Sequence, residues 1–107
     1  MNNGIEPLSF LSGTELLGNA HEGWNLDHES GFTEDRHFRA QVFFARPFSN
    51  IPVVQLGIVG FDISNHDAAR LTASVANISP QGFEIVLSTW LNTRAWRVNV
   101  SWLAVGS

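Results

Sequence analysis

A chain of 107 residues is one domain by size, and it is long enough to bury a hydrophobic core without a metal or disulfide staple. Ten acids against six bases give a net charge of −4, and no dense Lys/Arg run exists to neutralise phosphates, which argues against nucleic acid and anionic membranes as partners. Cysteine is absent, which excludes disulfides and thiolate chemistry, and no stretch approaches the roughly 18 apolar residues of a membrane span, so no membrane insertion is expected.

With 44 % hydrophobic and 15 % charged residues, the surface is expected to be partly apolar, and oligomerisation would hide some of it. Eight Phe and four Trp with a single Met imply a rigid aromatic core, with more indoles than a core of this size requires. At least one Trp is therefore expected at the surface. The N-terminal stretch MNNGIEPLSFLSGTELLGNA has neither a basic segment nor a continuous apolar one. No classical export signal is visible in it, and the expected location is cytoplasmic or reached by non-classical secretion.

In chain order, the glycine-rich first 35 residues predict short edge strands near residues 8–11 and 21–26, then an irregular loop to Asp35. The first strong strand spans residues 36–44, where Phe38, Ala40, Val42 and Phe44 share one face and His37, Arg39 and Gln41 the other. Residues 53–61 are apolar on both faces, which suits a central strand or one whose outer face meets another subunit. Residues 69–78 follow, with Arg70 pointing away from the core side.

Ser79-Pro80-Gln81-Gly82 predicts a type I turn, because Pro presets φ at the second position and Gly is favoured at the fourth. Beyond it, Phe83, Ile85, Leu87 and Thr89 alternate with Glu84, Val86, Ser88 and Trp90. After residues 92–95, Trp96, Val98, Val100 and Trp102 alternate with Arg97, Asn99, Ser101 and Leu103. These last two strands read as an antiparallel hairpin. Period two from Arg36 onward, with no helical stripe anywhere, makes the chain all-β and a compact sandwich.

A search for catalytic groups is largely negative. Asp27-His28-Glu29 with Glu34-Asp35 lacks the spacing of a zinc or calcium site and reads as a solvated loop; His66 beside Asp67 reads as a turn without a nucleophile. No metal, cofactor or catalytic residue is assigned. The informative group is Trp90, Asn92, Arg94 and Trp96, two indoles among polar donors. Such a mixture suits a neutral sugar, whose C–H face stacks on an aromatic ring while its hydroxyls need paired donors and acceptors. The competing reading has Trp90 covering a sheet face or interface and Trp96 plugging the core, and periodicity leaves both open. Trp102, Phe38, Phe44 and Phe83 are assigned to the core.

A succession of motifs carries a resemblance: Phe43-Phe44 before Arg46-Pro47-Phe48, Pro52-Val53-Val54, Gly60-Phe61-Asp62-Ile63-Ser64-Asn65, Ser79-Pro80-Gln81-Gly82-Phe83, Ser88-Thr89-Trp90, and Val100-Ser101-Trp102-Leu103-Ala104-Val105-Gly106. Their order and spacing over residues 20–106 resemble the H-type lectin domain of snail agglutinins and slime-mould discoidins. That resemblance implies a single domain over residues 1–107, with residues 1–19 an N-terminal extension or edge strand. It further implies a six-stranded antiparallel β-sandwich that forms homotrimers, with pairing of trimers into hexamers left open. Galactose or N-acetylgalactosamine would bind without a metal in shallow sites near subunit junctions.

By position, the family's sugar-contacting arginine falls on Arg70, its tryptophan on Trp90 and its later aromatic on Trp96. Leu91 stands where the snail members have a histidine. Aligning the irregular loop on Gly31 puts Thr33 at the position of the family's acidic contact, with Asp35 or Glu34 the nearest acid. Two other classes stay in view: a module that trimerises without binding sugar, and a glycan hydrolase, disfavoured because no carboxylate pair flanks the aromatic site.

Overall fold

The computed structural model describes residues 7–28, 34–64 and 68–107. The expected contacts Gly31 and Thr33, and the turn residues His66 and Asp67, lie outside the described residues. Among those described there is no helix, hence none long and apolar enough to cross a membrane.

The strands are β1 (Ser9–Gly18), β2 (Asp35–Phe43), β3 (Val53–Ser64), β4 (Leu71–Ser79), β5 (Gly82–Trp90) and β6 (Arg94–Gly106). They form two three-stranded antiparallel sheets, ordered β1-β6-β3 and β2-β5-β4, packed face to face as a sandwich. The expected all-β, six-stranded antiparallel sandwich is thus the observed fold.

The core follows the alternation. Phe83, Ile85 and Leu87 of β5 and Val98, Val100 and Ala104 of β6 are all fully buried. Each central strand lays an apolar row on the other across the sandwich, the arrangement that removes most apolar surface from water. At one end Phe44, Phe83 and Trp102 form an aromatic cluster, with ring centroids of Phe83 and Trp102 5.3 Å apart in an edge contact. Phe38, Phe44, Phe83 and Trp102 are buried, as assigned from the sequence.

Four local expectations are corrected. The β5–β6 hairpin does not exist, because the two strands belong to different sheets. Residues 91–93 cross from one sheet to the other, helped by Leu91 in the left-handed region at φ 56°. Period two says which residues face the core, and that condition is met equally by strands side by side or facing each other.

Second, β1 runs ten residues and pairs with β6 from Ser9↔Gly106 to Gly18↔Arg97, far beyond the short strand expected near residues 8–11. Its inner row holds Gly13 and Glu15, so apolar alternation is broken. A Cβ at Gly13 would lie 2.8 Å from the Trp102 indole, whose Nε1 donates to Glu15 Oε2 at 3.1 Å. The wide side chain on β6 requires the missing one on β1.

Third, residues 21–26 form no strand; they turn and plug the sandwich end with Trp24 and Leu26. Ala95 N donates to Leu26 O at 2.8 Å, and Trp24 Nε1 donates to Ala95 O at 2.9 Å. Trp24→Phe keeps the ring volume approximately but strands that carbonyl, costing about 1–2 kcal/mol. At the entropy usual for this chain length, a thermal melt is expected to fall by about 4–9 °C.

Fourth, Trp96 does not share the core row of Val98. β6 pairs Arg97 with Asp62 and Ala95 with Ile63, so Trp96 is the extra residue of a bulge. The bulge turns buried Ala95 inward and leaves Trp96 half-buried outside. β3, open to either reading from its sequence, is an edge strand.

The Ser79–Gly82 turn does join β4 and β5 as a hairpin, and Gln81 N donates to Ser79 Oγ at 3.2 Å. Gly82 is required where β2 passes over it, since a Cβ there would lie 2.1 Å from Val42 O.

Candidate functional site

The outer face of the β2-β5-β4 sheet is polar along most of its length and ends in an indole. Thr89 is fully buried, so alternation turns Trp90 outward at the last position of β5. The register sets Asp35 of β2 opposite Trp90 on one side. On the other, Leu71 pairs with Thr89, which places Arg70 beside Trp90 just before β4 begins. Cross-strand neighbours of this kind stand about 5 Å apart at Cβ, close enough for one small ligand to touch all three. Asp35 is exposed, while Trp90 and Arg70 are half-buried.

Arg70 is fixed by the loop that follows Trp90. Its backbone N donates to Thr93 Oγ1 at 3.0 Å, and one guanidinium nitrogen donates to Ala68 O at 3.1 Å and Asn92 Oδ1 at 3.3 Å. Thr93 is fully buried, and its hydroxyl donates in turn to Ala68 O at 3.3 Å. One hydroxyl thus joins the segment before β4 to the loop after β5, using both its donor and its acceptor capacity. Leu91, also half-buried, contributes apolar surface and no side-chain hydrogen bond.

Trp96 belongs to the other sheet. Its ring lines a hollow of about 220 Å³ with Leu16, Asn19, His21 and Arg97, and the Arg94 guanidinium carbon lies 5.0 Å from the ring centroid in a cation–π contact. Arg94 Nε donates to Asp27 O at 2.8 Å, so the acidic loop is used through its backbone at that residue. The structure therefore brings Asp35, Trp90, Arg70 and Leu91 to one end of one sheet and sets Trp96 in a separate hollow. Among the described residues, no group of three or more His, Asp or Glu is placed to hold a metal.

Two polar residues at this end were missed by sequence reasoning. Thr93 looked like a loop residue. Arg36 is 5 % exposed and donates to the carbonyls of His28, Leu91 and Thr93, the last two at 2.9 and 2.8 Å. Burial lowers its pKa, Arg94 adds to that, and Glu34 opposes it. A signal was available: Arg36 stands in phase with Phe38, Ala40 and Val42, so the alternation directs a guanidinium inward.

An exposed carboxylate, a half-buried indole and an anchored guanidinium in one shallow row supply an acceptor, an apolar platform and a forked donor. That set suits recognition of a small polyhydroxylated ligand.

Comparisons with known proteins agree with this reading of the fold. Discoidin II of Dictyostelium discoideum superimposes with a TM-score of 0.78 over 92 % of this chain and 37 % of that one, at 21 % identity. The wild-type discoidin II structure gives 0.77, with 92 % and 36 % covered, also at 21 % identity. A protein of Fuscovulum blasticum named ATP synthase subunits region ORF 7 is 42 % identical over 72 residues, which are 67 % of this chain and 63 % of that protein's length. The H-type lectin domain model matches residues 39–105, more than half of the chain and all of β3 to β5, and takes in the Arg70 and Trp90 positions. The chain belongs to the H-type lectin domain family.

Proposed function

We propose that this domain binds glycans ending in galactose or N-acetylgalactosamine at the Asp35, Trp90 and Arg70 row, and that it does so as a homotrimer. The observation that carries the sugar reading is the Trp90 indole, set on the sheet's outer face between a carboxylate and a guanidinium from the flanking segments. A pyranose stacks its C–H face on the indole, Arg70 donates to its hydroxyls and Asp35 accepts from them. Leu91 packs against the sugar but gives the acetamido group of N-acetylgalactosamine no hydrogen bond, so galactose is expected to bind at least as well. Gly31 and Thr33 are assigned accessory contacts to that sugar, and Trp96, in its separate hollow, a contact to a further residue of a longer glycan.

The trimer reading is supported by the outer face of the β1-β6-β3 sheet. Phe10, Leu16 and Val53 are each more than 60 % exposed there, and Leu103 is 40 % exposed. The outer face of the other sheet is more polar, carrying His37, Arg39, Gln41, Ser88, Glu84 and Thr72, with Phe43 exposed at the end far from Trp90. A patch of large apolar side chains on a soluble domain marks a surface covered by another chain. A closed ring of like subunits would cover it and present several weak sites together, gaining avidity on clustered glycans. Agglutination of cells bearing terminal galactose is the expected outcome.

A glycan array with the intact protein tests the sugar reading. Signal on galactose-terminated glycans, competed by free galactose, is the expected result. An empty array from an intact trimer would show an assembly module instead. Leu103→Asp tests the assembly: analytical ultracentrifugation is expected to show the trimer replaced by monomer, because the new carboxylate would be desolvated in the interface.

A further inference from the structure

We propose that Arg36 is the positioning residue of the sugar site, holding the turn after Trp90 in its binding shape from inside the sandwich without touching sugar. This rests on the sugar reading above.

Arg36 lies in β2, outside residues 39–105 matched by the family model, and its side chain points into the interior. Taking a guanidinium out of water is unfavourable unless its donors are satisfied, and an apolar residue in phase with Phe38 would serve packing better. What the guanidinium supplies is a rigid fork of donors. One terminal nitrogen donates to both Leu91 O and Thr93 O, bracketing Asn92; the other donates to His28 O. Its Nε has no partner among the described residues, so the terminal nitrogens carry the bonding at the loop.

That loop needs holding. Leu91 has φ 56°, a region that side-chain-bearing residues other than Asn and Asp rarely enter, and such a conformation persists only where its surroundings determine it. Asn92, clasped between the two bonded carbonyls, accepts from the Arg70 guanidinium, and Thr93 accepts from the Arg70 backbone. Loss of the fork would let residues 91–93 relax, release Arg70 and tilt the Trp90 indole.

The test compares the wild type with Arg36→Lys and Arg36→Met by galactose titration, thermal melting and NMR of the Trp indole N–H groups. Lysine keeps the charge but not the planar two-nitrogen fork, so it cannot hold Leu91 O and Thr93 O from one nitrogen while a second reaches His28 O. Arg36→Lys is expected to melt within a few degrees of wild type, to bind galactose at least ten-fold more weakly, and to shift the Trp90 indole signal in the absence of sugar while leaving that of Trp102 in place. An Arg36→Lys protein with wild-type affinity and an unmoved Trp90 signal would overturn the proposal. Should the variants fail to fold, hydrogen exchange of the wild-type guanidinium protons decides. Those of Arg36 are expected to exchange at least ten-fold more slowly than those of Arg39, and equal rates would refute the clasp. If the wild type binds no sugar, the sugar reading fails, while the indole shift and the exchange rates still report on Arg36.

Discussion

Trp90→Ala is expected to reduce galactose affinity by about 30- to 1,000-fold, read by titration calorimetry or by loss of array signal, while the melting temperature moves by only a few degrees. The size of the effect follows from its position. Trp90 is the one large apolar surface in the row, and aromatic anchors at the centre of a recognition site typically cost about 2–4 kcal/mol when truncated. The fold should tolerate the change because the side chain stands on the outer face, at the last position of β5, above a strand whose Phe83, Ile85 and Leu87 remain in place. Unchanged affinity in Trp90→Ala would sink the stacking role and leave the row as ordinary surface. A protein that no longer folds would show that the indole holds the end of the sheet.

Phe83→Ala is expected to be the most damaging single change to stability. Phe83 is fully buried and touches both Phe44 and Trp102, so its removal opens a hole between two rings that are themselves pinned from other directions. Phe-to-Ala changes in rigid cores cost about 3–5 kcal/mol, a large share of the roughly 5–15 kcal/mol available to a domain. For a chain of this length, that corresponds to a fall of roughly 13–22 °C in melting temperature. A fall of under 5 °C would mean that the aromatic cluster collapses around the hole. Sugar affinity, measured well below the melt, should change little, because the cluster and the Trp90 row lie at opposite ends of β5.

The rows facing inward were legible because alternation is imposed by burial on one face, and β2, β5 and the C-terminal part of β6 obey it residue by residue. The partition of strands between sheets was not. β5 and β6 have the strongest patterns and nearly adjoin in sequence, which favours a hairpin by proximity, yet both are central strands and meet across the core. β1 was hidden by Gly13, whose purpose is visible only once the Trp102 indole is known to lie on it. The outward turn of Trp96 was hidden for a related reason: Ala95 and Trp96 are both apolar, and inserting one bulge residue leaves no trace in composition.

The candidate site divides along the same line. Asp35, Arg70 and Trp90 come together because β2, β4 and β5 pair in register; residue types alone pointed to Trp90 with Asn92, Arg94 and Trp96, while Arg70 and an acid at 34 or 35 came from the family resemblance. Thr93 and Arg36 act through backbone carbonyls and a single hydroxyl, contacts that depend on how loops meet after folding. Their residue types alone say little, although the phase of Arg36 pointed inward.

The pairing of β1 with β6 joins the start of the described chain to its end, with Ser9 opposite Gly106. Of the two ladders in this sheet, that of β1 with β6 closes a loop spanning most of the polypeptide, and such high contact order slows two-state folding toward the millisecond-to-second range. During synthesis β1 must wait, unpaired, until β6 has left the ribosome, with its own exposed Phe10 and Leu16 in water. The serines, threonine and glutamate interspersed along β1 lower the tendency of that waiting strand to associate with its neighbours.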